Sequence, residues 1–196
     1  MQLLTDLGLT FSRVMVWTLI AWLLGILFGL MAYKSRVING IMLPINNLFR
    51  HISPFCWLPI VIIISGIGEL SVGLILLMAM LFNSILMTQE ALNGIPRDLL
   101  EHAYLDGAHG WGLIWEIELP LIWRNLIDIF RVLWSVGFST VIAAEMLGVK
   151  SGLGYRLLDF RYLLRYQEMF FYILIIGIIG ILMDYILIFL RRFFSV

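Results

Sequence analysis

Five apolar runs, each closed by charge or by glycine and proline, constrain this chain more than any other feature. A helix needs about 20 mostly apolar residues to cross a bilayer. Phe11 to Tyr33, Leu70 to Thr88, Leu126 to Leu147 and Met169 to Leu190 are each about that long. A shorter run, Pro54 to Gly66, makes the fifth; Pro54 can start its helix and Pro59 should kink it. Ile41 to Ser53 mixes Asn46, Asn47, Arg50 and His51 with apolar residues and reads as an interfacial helix. The solvent is lipid, because 62% of the 196 residues are hydrophobic and only 13% are charged. A water-soluble domain of this size cannot hide that much apolar surface. The expected fold class is all-α: a polytopic membrane protein with about five transmembrane helices, one domain over residues 1–196.

Thirteen basic and thirteen acidic residues cancel, so net charge points to no nucleic-acid partner. The single Cys56, in an apolar run, excludes a disulfide framework and a thiolate metal cluster and reads as a small hydrophobe in a helix. Asp6 stands where a signal peptide needs basic residues, so the first apolar run is expected to remain in the mature protein. Five spans put the termini on opposite sides. Lys34, Arg36, Arg50, Arg97, Arg124, Arg191 and Arg192 share a side if the C-terminus is cytoplasmic, as the positive-inside rule asks. Lys150, Arg156, Arg161 and Arg165 disagree, only partly offset by Asp159 and Glu168. This topology puts Ser195 in the cytoplasm and Ser71 outside.

Between the third and fourth spans, Leu70 to Thr88 and Leu126 to Leu147, lies a polar stretch, "IPRDLLEHAYLDGAHGWGLIWEIELP". Pro96 suits a first helical position, and Asp98 sits where the helix dipole favours an acid. Leu100, Ala103, Tyr104, Gly107, Ala108 and Trp111 recur at helical spacing, with Asp98, Glu101, His102, Asp106 and His109 opposite. Gly107 can allow a turn or a close approach. A second amphipathic run, "LIWEIEL", ends at Pro120, which should break or bend the chain. The segment therefore reads as a helix, a bend and a second helix at the cytoplasmic surface. Its polar face is acidic, and the negative inner leaflet repels acid. A protein partner suits it better than lipid headgroups.

The spacing Glu101-x-Ala103-x3-Gly107-x9-Ile117-x-Leu119-Pro120 resembles the EAA loop of permease subunits of binding-protein-dependent ABC importers. His102 departs from it, standing where that family usually has a second Ala. "ISPFCWLPIVIIISGIGELS", "AEMLGVKSGLGYRLLD" and "LIIGIIGILMDYIL" are similar to the branch importing nitrate, bicarbonate, taurine and other sulfonates. The resemblance covers nearly the whole chain from Leu7 onward; the extra N-terminal segment of many such permeases is expected to be missing. It implies the type I importer fold in a bacterial-type cytoplasmic (inner) membrane. It also implies a coupling loop over about residues 94–120 that docks on an ABC ATPase subunit. The further partners implied are a second permease subunit, as a homodimer, and an extracytoplasmic solute-binding protein. ATP and Mg would sit on the ATPase, with no cofactor on this chain. The competing class is an ATP-independent channel or carrier, or a scaffold, whose acidic loop docks a regulatory partner.

Asn83, Ser84, Ser139 and Thr140 are polar groups inside spans; they line a translocation path or bond neighbouring helices. Glu145 joins them as a candidate, since intramembrane charges are functional by default. The alternative is that Glu145 and Arg131 sit at opposite interfaces and snorkel; they lie too far apart along one helix to pair. Ala21, Gly25 and Gly29 form a small-xxx-small face for close packing, within one subunit or across a dimer. No catalytic or metal-binding constellation is present: all three histidines lie outside the spans, and no phosphate loop or nucleophile elbow occurs.

Overall fold

A computed structural model describes residues 2–193; Ser195, expected in the cytoplasm, lies outside them. Eight α-helices follow one another: α1 Gln2–Lys34, α2 Arg36–His51, α3 Leu58–Ser65, α4 Glu69–Asn93, α5 Arg97–Leu105, α6 Leu119–Gly148, α7 Leu153–Tyr162 and α8 Tyr166–Phe193. Four stretches are long and apolar enough to cross a membrane singly: Leu3–Lys34, Glu69–Asn93, Leu113–Gly148 and Tyr166–Phe189. The fifth candidate is a bent pair, Arg36–His51 with Pro54–Ser65, turned by 93°.

That pair corrects the reading of the second span. α3 has eight residues, about 12 Å at 1.5 Å per residue, too short to cross alone. The helix read as interfacial is instead a continuous 16-residue α2 that holds Pro44 and runs antiparallel to α4. The Nε2 of Gln89 donates to Asn39 Oδ1 at 3.3 Å, and the Phe49 and Phe82 rings stack at 4.9 Å. The Oγ atoms of Ser65 and Ser71 meet at 3.0 Å. Arg50 therefore lies beside the middle of α4 and does not flank an interface. Its polar neighbours Asn46 and Asn47 masked this, because a groove-lining helix and an interfacial helix share an amphipathic pattern. Cys56 is exposed in the single 3₁₀ turn Pro54–Trp57.

The core is the α1–α4–α6 triad, with Val14, Ala21, Ile75, Leu76, Met80, Ile129, Leu133 and Val141 closing between the helices. Lipid is as apolar as leucine, so close packing rather than water exclusion must hold such helices. Gly25 and Gly29 provide it within the subunit. A Cβ at Gly25 would collide with Ser84, and one at Gly29 would come to 2.8 Å from Thr88 Cβ. α8 leans on the triad through Ile176, Ile179, Met183 and Leu187. None of its most apolar 18-residue stretch is buried, leaving one broad face for lipid or another chain.

Ion pairs fasten the ends. At the end bearing α5, here the loop end, Lys34 Nζ meets Glu118 Oε1 at 2.7 Å. At the far end Arg156 pairs with Asp6 at 2.9 Å and Asp159 at 3.6 Å, and Arg165 pairs with Glu168 at 2.5 Å. The hydrogen bond from Arg156 to Asp6 raises the guanidinium pKa further. Two of the four cations that disagreed with the charge rule are thus locally neutralised.

Candidate functional site

The polar stretch folds as an anchored bend. α5 begins after Pro96 and carries Asp98 in its first turn. Ala103 is buried and Leu100 packs on the core, so one edge of the helix is fastened to the bundle. Glu101, His102, Tyr104, Leu105 and Asp106 are exposed. The helix stops at Leu105, earlier than the apolar spacing through Trp111 suggests. The N–H of Ala108 donates to Ala103 O at 3.0 Å and that of Gly107 to Tyr104 O at 3.1 Å. That pair of bonds is a Schellman cap with Gly107 at its left-handed position, φ +89°. Nothing lies within 4 Å of a Cβ added at Gly107, so the glycine serves the turn rather than a close approach within the chain. Trp111, released from the helix, is 75% exposed.

The second half also departs from expectation. Leu113–Glu118 is a π-helical turn that continues directly into α6. Pro120 sits in the first turn of α6 and does not break the chain, because the widened turn just before it makes room for the ring. Leu113 and Glu118 are buried; Ile117 and Leu119 are half-buried; Trp115, Glu116 and Pro120 are exposed. The six motif positions therefore divide. Ala103, Ile117 and Leu119 fasten the loop, while Glu101, Gly107 and Pro120 lie on its surface. Glu118, outside the motif, is the buried partner of Lys34. Between α1 and the loop an apolar cleft of about 740 Å³, lined by Leu27, Met31, Trp111 and Trp115, leaves the bend partly free of the bundle.

The polar groups inside the spans fall in three places. Ser84 is fully buried against Gly25, at the α1–α4 contact. Ser139 is exposed and donates to the carbonyls of Ser135 and Val136. Asn83 and Thr140, both half-buried, share a cavity of about 230 Å³ with Arg50. Glu145 neither snorkels nor lies near these three: it is fully buried at the far end. It accepts from Thr10 Oγ1 at 2.8 Å, Arg13 Nη1 at 2.6 Å and Gly154 N at 2.9 Å. Arg13 also grips Glu69 and both the carbonyl and hydroxyl of Ser151. Arg131 does not snorkel either. Helix starts at Leu113 rather than Leu126 place it midway along its span, where it pairs with Asp184 of α8 at 2.7 Å. The reading of the sequence missed Arg13, whose only signal was a cation two residues into the first apolar run.

Three apolar helices packed through glycines thus carry a bent short span and an anchored surface bend. The family described as binding-protein-dependent transport system inner membrane component matches residues 21–195. The chain belongs to that family. It is an ABC importer permease subunit. The permease is 28% identical over 184 residues to a putative ABC transporter permease of Methanocaldococcus jannaschii, covering 93% of this chain and 69% of that one. It is 29% identical over 149 residues to the taurine transport system permease of Escherichia coli, covering 76% and 54%. It is 28% identical over 149 residues to the trimethylamine N-oxide transport system permease of Pelagibacter ubique, covering 76% and 21%. The chain thus spans about half the length of the taurine permease and a fifth of the trimethylamine N-oxide one. A chain of the MetNI methionine ABC transporter, solved in inward-facing conformations, superposes with a TM-score of 0.83 at 18% identity, covering 97% and 95%. That likeness establishes the fold.

Proposed function

We propose that this permease forms half of a translocation path for a small oxyanion or sulfonate and takes its driving force from a separate ATPase through residues 101–120. The observation that carries the reading is the anchored bend. Glu101 and Asp106 stand exposed beside Tyr104, Leu105 and Trp111 on a backbone held by buried Ala103 and the Gly107 cap. Large apolar side chains rimmed by acid at the watery end of a membrane protein fit a protein partner. Rigid fastening at Ala103, Ile117 and Leu119 lets a push on the exposed edge reach α6. ATP and Mg belong on the partner, and this chain binds no cofactor. A second copy, packing against an exposed apolar face, completes the path, and an extracytoplasmic solute-binding protein delivers the solute. The loop end, with the C-terminus, is cytoplasmic, in a bacterial-type inner membrane.

The test uses Glu101→Lys with Glu116→Lys as control, reading taurine uptake in cells and ATPase co-purified per permease. Truncating one partner of an interfacial charge pair costs about 2–5 kcal/mol, so reversal at Glu101 is expected to abolish both readouts while the Glu116 change leaves them near normal. Equal effects of the two substitutions would remove Glu101 from the docking face. Glu118 is unsuitable as a control, because its carboxylate is buried against Lys34.

A further inference from the structure

We propose that Arg50 is a solute-binding residue at mid-membrane that selects for the anionic group, sulfonate, carboxylate or oxyanion, of the transported molecule. The inference rests on the permease reading above and adds the residue that recognises the charge of the solute.

Depth comes first. Arg50 lies on the cavity formed by Met78, Ala79 and Asn83 of α4 together with Thr140 of α6. α4 is 25 residues long, about 37 Å. Asn83 stands fourteen residues after its first residue and ten before its last, so the cavity opens near the middle of the span. Arg50 lies in the last turn of α2, but that turn sits beside the middle of α4, about 15 Å or more from either end of the longer helix, so this helix end offers no interface to snorkel to. A guanidinium at this depth must face a water-filled path or a counter-charge. Arg50 is exposed, and among the described residues no carboxylate forms an ion pair with it. The other mid-span cation, Arg131, has Asp184, and buried Arg13 has two carboxylates. Arg50 alone of these three is left with its charge unmatched.

The surroundings suit an anion. Asn83 uses one amide N–H on Ala79 O at 3.2 Å and keeps the other. Thr140 donates to Val136 O at 2.7 Å, and its hydroxyl can turn toward the cavity. One helical turn before Arg50, on the same face, Asn46 is 3% exposed with neither side-chain polar atom partnered. A buried amide without partners is costly in an apolar setting, which marks this face of α2 for a polar neighbour. Nearer the loop end, a separate cavity of about 300 Å³ is lined by Asn39, Gln89 and Glu90. Glu90 is seven residues past Asn83, about 10 Å along α4, too far to form an ion pair with a cation at the level of Asn83. Of the α2 residues that line these two cavities, Asn39, Leu43, Phe49 and Arg50, Arg50 alone carries charge. A planar guanidinium matches a sulfonate or carboxylate with two parallel hydrogen bonds.

The experiment needs no knowledge of the natural solute. The full-length permease carrying Cys56→Ser and Asn83→Cys is purified with its associated subunits into lipid nanodiscs. Two thiol reagents of similar size are compared: the anionic ethylsulfonate methanethiosulfonate and its cationic trimethylammonium counterpart. With Arg50 present the sulfonate should react faster, and Arg50→Ala should lower the anion-to-cation rate ratio at least about tenfold, the lower end of electrostatic focusing in a cleft. Arg50→Lys, which keeps the charge, should retain most of the preference; this also controls for folding. A ratio unchanged by Arg50→Ala, or a cysteine that neither reagent reaches, overturns the inference. Neither result touches the permease reading, which the Glu101 uptake and co-purification assay tests separately.

Discussion

Arg13 shows what a single buried charged side chain must satisfy at the far end of the bundle. Its five N–H groups all find acceptors, on Glu69, Glu145 and Ser151, and it is 5% exposed. Removing one partner of a buried pair leaves an uncompensated charge and costs about 3–5 kcal/mol. Arg13→Ala is therefore expected to lower the melting temperature of the detergent-solubilised permease sharply, because it strands the fully buried Glu145. Arg131→Ala should lower it less, since its partner Asp184 is about half exposed; the two melting curves decide the order. Gly107 carries a different constraint. Its φ of +89° is open to glycine and tolerable for asparagine, but strained for a β-branched residue. Gly107→Val is expected to abolish uptake at normal membrane insertion and Gly107→Asn to keep most of it, measured as transport per inserted permease.

At the scale of elements, glycines decide which helices touch. α1 approaches α4 closely because Gly25 and Gly29 present no side chain to Ser84 and Thr88. The small-xxx-small face was legible in the sequence, but its partner helix was not, since any helix with a matching surface would serve. Gly25→Ala is expected to destabilise by overpacking, about 1–3 kcal/mol. The double variant Gly25→Ala with Ser84→Gly should recover much of the loss by returning the space to the other helix. Thermal unfolding of the single and double variants tests this; absence of recovery would mean the strain lies elsewhere on α1. The bent pair makes the same point about α2. Its polar residues were visible, yet only contact with α4 through Asn39 and Phe49 shows that they face a groove.

For the whole molecule the topology follows from parity and from the two ends. α1 begins and α7 lies at the far end, with Arg156 bonded to Asp6, while Lys34 and the bend mark the loop end. Ser71 is a poor reporter of the far side: it is fully buried and bonded to Ser65 and Gly66. Ile67, 71% exposed in the turn before α4, is a better one, and Leu105, 85% exposed, reports the loop end. In the Cys56→Ser background, a cysteine at Ile67 should react with impermeant reagents only from outside and one at Leu105 only from the cytoplasm. Labelling of both from one side of intact cells would overturn the five-span topology.

By itself the sequence determined the class of fold, the long spans, the helix-and-bend character of residues 96–120 and the family that its motif resembles. These are legible because they depend on local quantities: run length against bilayer thickness, periodicity, and the backbone demands of glycine and proline. Only the tertiary structure decided which charges are paired. Arg13 and Glu145 lie 132 residues apart, and Arg131 and Asp184 lie 53 apart, distances along the chain that no periodicity spans. Tertiary structure likewise moved Arg50 from a helix-flanking position to the side of α4 near its middle, because a residue's level along the bundle is set by the helix it packs against and not by its own neighbours in sequence.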